Sequence, residues 1–122
     1  MQLRSHVLDH FGRLLKQANN NMMRHFDQFA RQYDLTGNQM AIIDFITNHA
    51  NHEVFQHDIE HEFEIQRSTT TVLLQRMEKK GLIERHTSSK DARQKAVVLT
   101  DKAVKIASAC QSYLRKEEEE FA

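Results

Sequence analysis

Apolar positions recur at three- and four-residue steps along the first quarter of the chain: Leu8, Phe11, Leu15, Ala18, Met22, Phe26, Phe29 and Tyr33. That period predicts one amphipathic helix over 3–33. At about 1.5 Å per residue such a helix is about 45 Å long, more than a small domain can cover. It either packs along its whole length in one core or lays one end on a partner chain. Periodic helices beyond about 25 residues often serve association, which favours the partner. Asn19, Asn20 and Asn21 weaken the middle and mark a candidate bend.

A second apolar run begins after Leu35. Thr36 opens a helix, and Gln39 three positions on completes a T-x-x-Q capping box, with Leu35 and Met40 at the staple positions. Ile42, Ile43, Phe45 and Ile46 supply the buried face before the helix frays near Asn48. Residues 49–54 read as a loop, with a short strand at Val54 and Phe55. Phe55, Ile59 and Phe63 stand at i, i+4 and i+8, placing a short third helix over 56–64. A tight turn at Glu64 and Ile65 leads to a fourth helix over 66–80, with Val72, Leu73, Met77 and Leu74 as its core face. Thr69, Thr70 and Thr71 are poor helix formers, tolerable where they face a ligand. Lys79 and Lys80 suit the negative end of the helix dipole, and Gly81 fits the position just past the end.

Two apolar strands follow, 82–87 and 96–100, joined by a charged connection over 88–95. Thr100 and Asp101 restart a helix that runs to about Glu120, with Ala103, Ile106, Ala107, Cys110 and Leu114 as its stripe. The run Glu117–Glu120 reads as a solvated terminus. The expected fold is mainly α with a small β-wing, a winged helix-turn-helix in which a recognition helix is backed by a hairpin. That order of elements points to duplex DNA as the ligand.

Composition narrows the setting. A length of 122 residues suits one domain spanning 1–122, whose modest core a dimer would help. No apolar run is long enough to span a membrane and no signal-peptide pattern is present, so a cytoplasmic protein is expected. Cys110 is the single cysteine, which excludes an internal disulfide and fits a reducing compartment. Net charge is zero, but its distribution is uneven: residues 50–64 carry five acids and no Lys or Arg, whereas 65–96 carry eight bases against three acids. DNA affinity follows such a local patch rather than the total.

Four segments together resemble the MarR family of bacterial winged helix-turn-helix transcription regulators: LTGNQ at 35–39, RSTTTVLLQRMEKKGLIER at 67–85, KDARQKAVVLT at 90–100, and the helix after it. With the helix order, the likeness covers nearly the whole chain. The D-x-R of the wing, eight residues ahead of an L-T helix start, is its most specific piece. The resemblance implies a homodimer held by the N- and C-terminal helices (about 3–33 and 101–120). Each recognition helix would enter a major groove of a pseudo-palindromic site, with the wing in the flanking minor groove. It also implies a repressor released by a small aromatic effector, by thiol oxidation or by metal. Typical members run longer and end in a further helix, so the resemblance implies a smaller interface or a fragment. Glu60 stands where the family often has a small residue, Thr70 where Val is usual, Val72 where Arg is frequent, and Ala103 where Gly is common.

Gln66, Arg67, Ser68, Thr69 and Thr71 form the first turns of the recognition helix, the part that meets base edges in such proteins. Arg67 can pair with guanine and Gln66 with adenine; hydroxyls discriminate less. The competing role for Ser and Thr there is helix capping, but one cap does not need six consecutive polar residues. Arg76, two turns on, suits a phosphate. In the wing, Arg93 is the expected minor-groove residue, with Asp91 holding its guanidinium and Lys90 and Lys95 on phosphates. The alternative for Asp91 and Arg93 is a solvated ion pair. The acids of the third helix, Asp58, Glu60, Glu62 and Glu64, either point away from DNA or weaken non-specific binding.

His57 and His61 share a helical face with His49 and His52 upstream, a spacing Zn²⁺ accepts, but surface histidines are the better reading; no cofactor or metal is expected. Cys110 lies on an apolar stripe, where an unreactive thiol outweighs a sensor. Phe11, Leu15, Met40, Ile43 and Phe45 are a candidate effector pocket between the first, second and fifth helices, or simply core. No Gly-rich phosphate loop or nucleophile motif is present, so no enzyme is expected. The competing function is a winged-helix protein–protein interaction module that does not bind DNA. The acidic third helix and zero net charge lean towards it; the basic wing leans away.

Overall fold

The computed structural model describes residues 2–121, with side chains placed for Val7, 9–116 and 119. Leu8 of the first predicted stripe and Glu117, Glu118 and Glu120 of the terminal run lie outside those side chains. In order come α1 (Gln2–Arg31), α2 (Gly37–Asn48), α3 (Gln56–Phe63), α4 (Arg67–Lys79), β1 (Ile83–Thr87), β2 (Lys95–Leu99) and α5 (Asp101–Phe121). Two compact units are distinguished, residues 1–37 and 38–122. No helix among the described residues is long and apolar enough to cross a membrane.

In the first unit, α1 is unbroken through Asn19–Asn21. Its apolar stripe is uncovered over much of its length: Val7, Phe11, Leu14, Leu15, Met22 and Met23 are 48–70% exposed. Towards the C-terminal end the helix closes down, with Ala30 buried and the Phe29 and Tyr33 rings edge to face at 5.5 Å. The terminating turn puts Asp34 at φ 62, with the Leu35 N–H donating to Ala30 O at 3.1 Å. Gly37 is needed for space, since a Cβ there would run into the Asp27 carboxylate.

The second unit holds a core of Met40, Ile42 and Ile43 from α2, Ile59 from α3, Leu74 and Met77 from α4, and Ala103, Ile106, Ala107 and Cys110 from α5. Leu82, Ile83, Ala96 and Val97 close it from the hairpin side. The α4 face departs from expectation: Val72 is exposed and Thr70 is fully buried. Helical phase explains this, because Thr70, Leu74 and Met77 at i, i+4 and i+7 make one stripe that Val72 cannot join. Burial of Thr70 is tolerated because its hydroxyl donates to Gln66 O at 2.9 Å.

Helix ends use one device repeatedly. At α4 the Leu82 N–H donates to Met77 O and the Gly81 N–H to Glu78 O, each at 3.0 Å, with Gly81 at φ 72. This is a Schellman ending, and its left-handed residue favours glycine. The turn from α3 into α4 does the same with Glu64 at φ 52 and the Ile65 N–H on Glu60 O at 3.1 Å.

Strands β1 and β2 pair antiparallel from Ile83↔Leu99 to Thr87↔Lys95. Phe55 adds an isolated bridge to Ala96, and the Val97 N–H donates to Val54 O at 2.7 Å. The short strand expected at Val54 and Phe55 is therefore one rung on the outer side of the hairpin. Its effect is to fasten the α2–α3 loop to the wing.

Candidate nucleic-acid interface

The N-terminal turn of α4 is built to present side chains outward. Gln66 is its N-cap, yet no side-chain capping hydrogen bond is made there. The first turn contains no acid, so the positive end of the helix dipole is uncompensated. Gln66, Arg67, Ser68 and Thr69 are all exposed. The capping role considered for Ser68 and Thr69 is thus absent at the N-cap itself. Ser68, Thr69 and Arg76 border a shallow hollow of about 440 Å³ with Val72, Leu73 and Asn38. That Asn38, near the start of α2, borders this hollow is not legible in the sequence, because nothing there aligns α2 with α4.

Thr71 behaves differently from its neighbours. Its hydroxyl donates to Arg67 O at 2.9 Å and accepts from Gln56 Nε2 at 2.9 Å. The hydroxyl is therefore occupied inside the helix-turn-helix, facing α3.

A second cleft, of about 530 Å³, lies between the start of α3, the first turn of α4 and the hairpin. Arg67, Arg85, Arg93 and Lys95 all border it. Three of these were expected from the sequence; Arg85 was not, because its place in a strand gave no hint of which face it takes. Arg85 Nε donates to Glu78 Oε1 at 2.8 Å, and its Nη1 reaches Gln56 Oε1 at 3.4 Å. Glu60 is the acid bordering the cleft, and it accepts from Gln56 Nε2 at 3.0 Å. Glu78 and Asp91 pair with Arg85 and Arg93, so Arg67 and Lys95 are the cations at the cleft for which no ion pair is recorded among the described residues.

The wing tip is ordered by its own hydrogen bonds. Ser88, buried, donates its N–H to Gln94 O at 2.9 Å, while its Oγ accepts from the Lys90 and Asp91 N–H groups at 3.1 and 3.2 Å. Asp91 Oδ1 accepts from the Arg93 N–H at 3.0 Å and from Arg93 Nε at 3.3 Å. The Arg93 side chain is nevertheless 91% exposed, so it is aimed without being covered. Lys90 and Lys95 are exposed as well.

The acids of α3 divide by task. Asp58 Oδ2 accepts from the Phe55 N–H at 2.8 Å, closing the helix start, and its Oδ1 lies 3.4 Å from His57 Nε2. Glu62 and Glu64 are exposed. His57 stacks on Phe55, while His49 Nδ1 lies 2.8 Å from Phe45 O. Among the described residues, no three His, Cys, Asp or Glu side chains gather in a way that would hold a metal ion. Cys110 is fully buried, and burial, with the Asp44 charge adding, pushes its thiol up to about 11.

The five residues expected to form an effector pocket are divided between the two units. Phe11 and Leu15 are exposed on α1, while Met40 and Ile43 are sealed in the core of the second unit. Phe45 is half-buried, its ring packed on Phe63 and His49. A groove of about 600 Å³ lies between the end of α2, the α2–α3 loop, β2 and α5, bordered by Ile46, His49, Val54, Val97, Val104 and Ala107. The sequence places Ile46 and Ala107 on buried faces, His49 and Val54 in a loop and Val97 in a strand, and assigns Val104 no role; that they border one groove is visible only in the packing.

Comparison with known proteins gives the following. A profile described as the MarR family matches residues 33–94. A transcription regulator MarR from Oenococcus oeni PSU-1 is 51% identical, with 91% of this chain and 83% of that one covered and a TM-score of 0.84. MepR of Staphylococcus aureus, solved as a complex with DNA, is 26% identical over 91% of this chain and 80% of that one, with a TM-score of 0.78. The same protein in a DNA-binding conformation gives a TM-score of 0.81 at 26% identity, covering 91% of this chain and 81% of that one. No curated protein matches the chain.

Proposed function

The chain belongs to the MarR family, and from that premise we propose that it is a homodimeric, sequence-specific DNA-binding regulator that represses transcription until an effector releases it. The observation that carries the reading is the joining of two surfaces. The outward turn Gln66–Thr69 adjoins, through Arg67, a cleft where Arg67, Arg85, Arg93 and Lys95 converge. The first surface suits base edges in a major groove, and the second suits the backbone beside it. Arg93 extends from the wing to a minor groove, where a narrow A·T tract strengthens the attraction. MepR, whose fold this chain shares, binds DNA.

A second copy of the chain accounts for α1. Apolar side chains such as Phe11 and Leu15 left 58 and 70% exposed are costly in water, and burial returns about 25 cal/mol per Å². A two-fold dimer also sets the two recognition helices to meet successive major grooves about 34 Å apart. Occupancy of a promoter then excludes polymerase. A small, largely apolar effector would enter the groove beside Val54 and Val104, whose α2–α3 loop is stitched to the wing.

Selection of bound duplexes from fragmented source DNA, with native protein and with Arg93→Ala, tests this. An enriched inverted repeat, weakened by the substitution, is expected. Folded, dimeric protein that enriches nothing would instead support a protein-binding module.

A further inference from the structure

Gln56, the first residue of α3, ties together three elements through one side chain. Its Nε2 donates to Thr71 Oγ1 at 2.9 Å and to Glu60 Oε2 at 3.0 Å, and lies 3.4 Å from Arg67 O. Its Oε1 accepts from Arg85 Nη1 at 3.4 Å. Arg85 is in turn held by Glu78 at 2.8 Å. Thr71 passes the connection on, its hydroxyl donating to Arg67 O at 2.9 Å. The amide thus bolts the turn that carries Arg67 to strand β1, whose hairpin carries Arg93 and Lys95.

We propose that Gln56 is a specificity-determining positioning residue: it locks the recognition helix and the wing into one unit, so that its loss costs base discrimination while phosphate affinity survives. The proposal rests on the DNA-binding reading above. The physical reason lies in how the two contact types depend on distance. A bidentate base contact needs both hydrogen bonds in geometry and fails with displacements below an ångström. Attraction between a cation and a phosphate falls only as the inverse of distance and tolerates the same displacement.

The chemistry of the position narrows which residue can serve. A donor is required towards Thr71 and the Arg67 carbonyl, and an acceptor towards Arg85. A neutral amide supplies both ends, and glutamate offers no donor when ionised. Lysine or arginine would repel Arg85 and Arg67 and offer no acceptor. None of this was readable from the sequence, since Gln56 lies 15 residues from Thr71 and 29 from Arg85.

The experiment measures binding of native protein, Gln56→Ala, Gln56→Met, Thr71→Val and the double variant Gln56→Ala/Thr71→Val. Each is tested on the selected site and on duplexes with single base changes, at several salt concentrations. Gln56→Met keeps the bulk and removes the hydrogen bonds. Thr71→Val breaks the same connection from the other side. The expected result is a loss of about 10-fold in preference for the selected site in each single variant, on the scale of one base contact. The slope of affinity against salt should stay native, because no Lys or Arg is removed. The double variant should be no worse than the singles. Native discrimination in Gln56→Met would overturn the proposal, as would additive losses or a reduced salt slope, which would make Gln56 a backbone contact. A native chain that selects no sequence removes the DNA-binding reading and this proposal with it. A native chain that selects a site while its Gln56 variants discriminate equally removes this proposal alone.

Discussion

Glu53 and Ser89, 36 residues apart, are joined twice: the Ser89 N–H donates to Glu53 Oε1 at 2.9 Å, and the Ser89 hydroxyl donates to the same oxygen. With the Val97 N–H on Val54 O, this fastens the α2–α3 loop to the wing at two points. The wing is therefore a braced lever, clamped at the point where its tip begins.

That clamp should be pH-dependent only in acid. Hydrogen bonding from Ser88, then from Ser89, with the Lys90 charge adding, holds the Glu53 carboxyl below its ordinary value of 4.5. A depressed carboxylate contributes stability above its unfolded-state value and loses it as pH falls through the folded one. The Ser89 amide resonance, followed by NMR, should therefore titrate with a midpoint under 4.5. Glu53→Ala should abolish that titration and speed hydrogen exchange at Ser89. A midpoint at or above the ordinary value would mean that the clamp does not form in solution.

Arg93 should matter to DNA and hardly at all to the fold. Its pairing with Asp91 is on the surface, where such pairs contribute about 0–1 kcal/mol. Arg93→Ala should leave the melting temperature close to native. On DNA it should reduce the salt slope by about 1, the loss of one phosphate-scale contact. If its role is in the minor groove, the penalty should also be larger at A·T-flanked sites than at G·C-flanked ones. Equal penalties at both would place Arg93 on the backbone alone.

Much of this is legible in the sequence. The stripes of α2 and α5 follow from three- and four-residue steps, and Gly81 marks the end of α4 because a left-handed residue was needed there. The Asp91–Arg93 pairing and the exposure of the polar turn after Ile65 are legible as well. The misreadings have a common cause. Val72 was assigned to the core and Thr70 to a ligand because hydropathy was weighed above helical phase. The hydrogen bond that Thr71 accepts from Gln56 is not legible in the sequence, because Gln56 lies on another helix. For Phe11, Leu15, Met40, Ile43 and Phe45, periodicity shows that a side chain is apolar, and only packing shows whether it borders a space. Arg85 was missed for the same reason: long-range partners leave no local signature.

The left-handed residues at helix ends predict a simple stabilisation. Glu64 sits at φ 52, a conformation that costs an L-residue about 1–2 kcal/mol. Glu64→Gly removes that cost, offset by about 0.4–1 kcal/mol of extra freedom in the unfolded chain. A net gain of about 0.5–1 kcal/mol is expected in chemical denaturation. Gly81→Ala should act in the opposite direction, since φ 72 there would strain any side chain although space is open. A destabilised Glu64→Gly would show that the carboxylate does something at the turn that its exposure conceals.

Cys110 should be a silent thiol at neutral pH and a source of alkaline sensitivity. Burial, and after it the Asp44 charge, raises it from 9.0 to about 11. The nucleophile is the thiolate, so alkylation of the native protein at pH 8 should be far slower than of the unfolded chain. Mild peroxide should likewise leave DNA binding unchanged. The linkage runs the other way from that of Glu53. A group whose folded value is raised contributes stability below its unfolded value and loses it as pH climbs through the folded one. Native stability should therefore fall between pH 9 and 11, and Cys110→Ala should lack that part of the fall even if it is less stable throughout. A native thiol that reacts at pH 8 as fast as the unfolded one would show that the α5 core opens freely, and would return Cys110 to candidacy as a sensor.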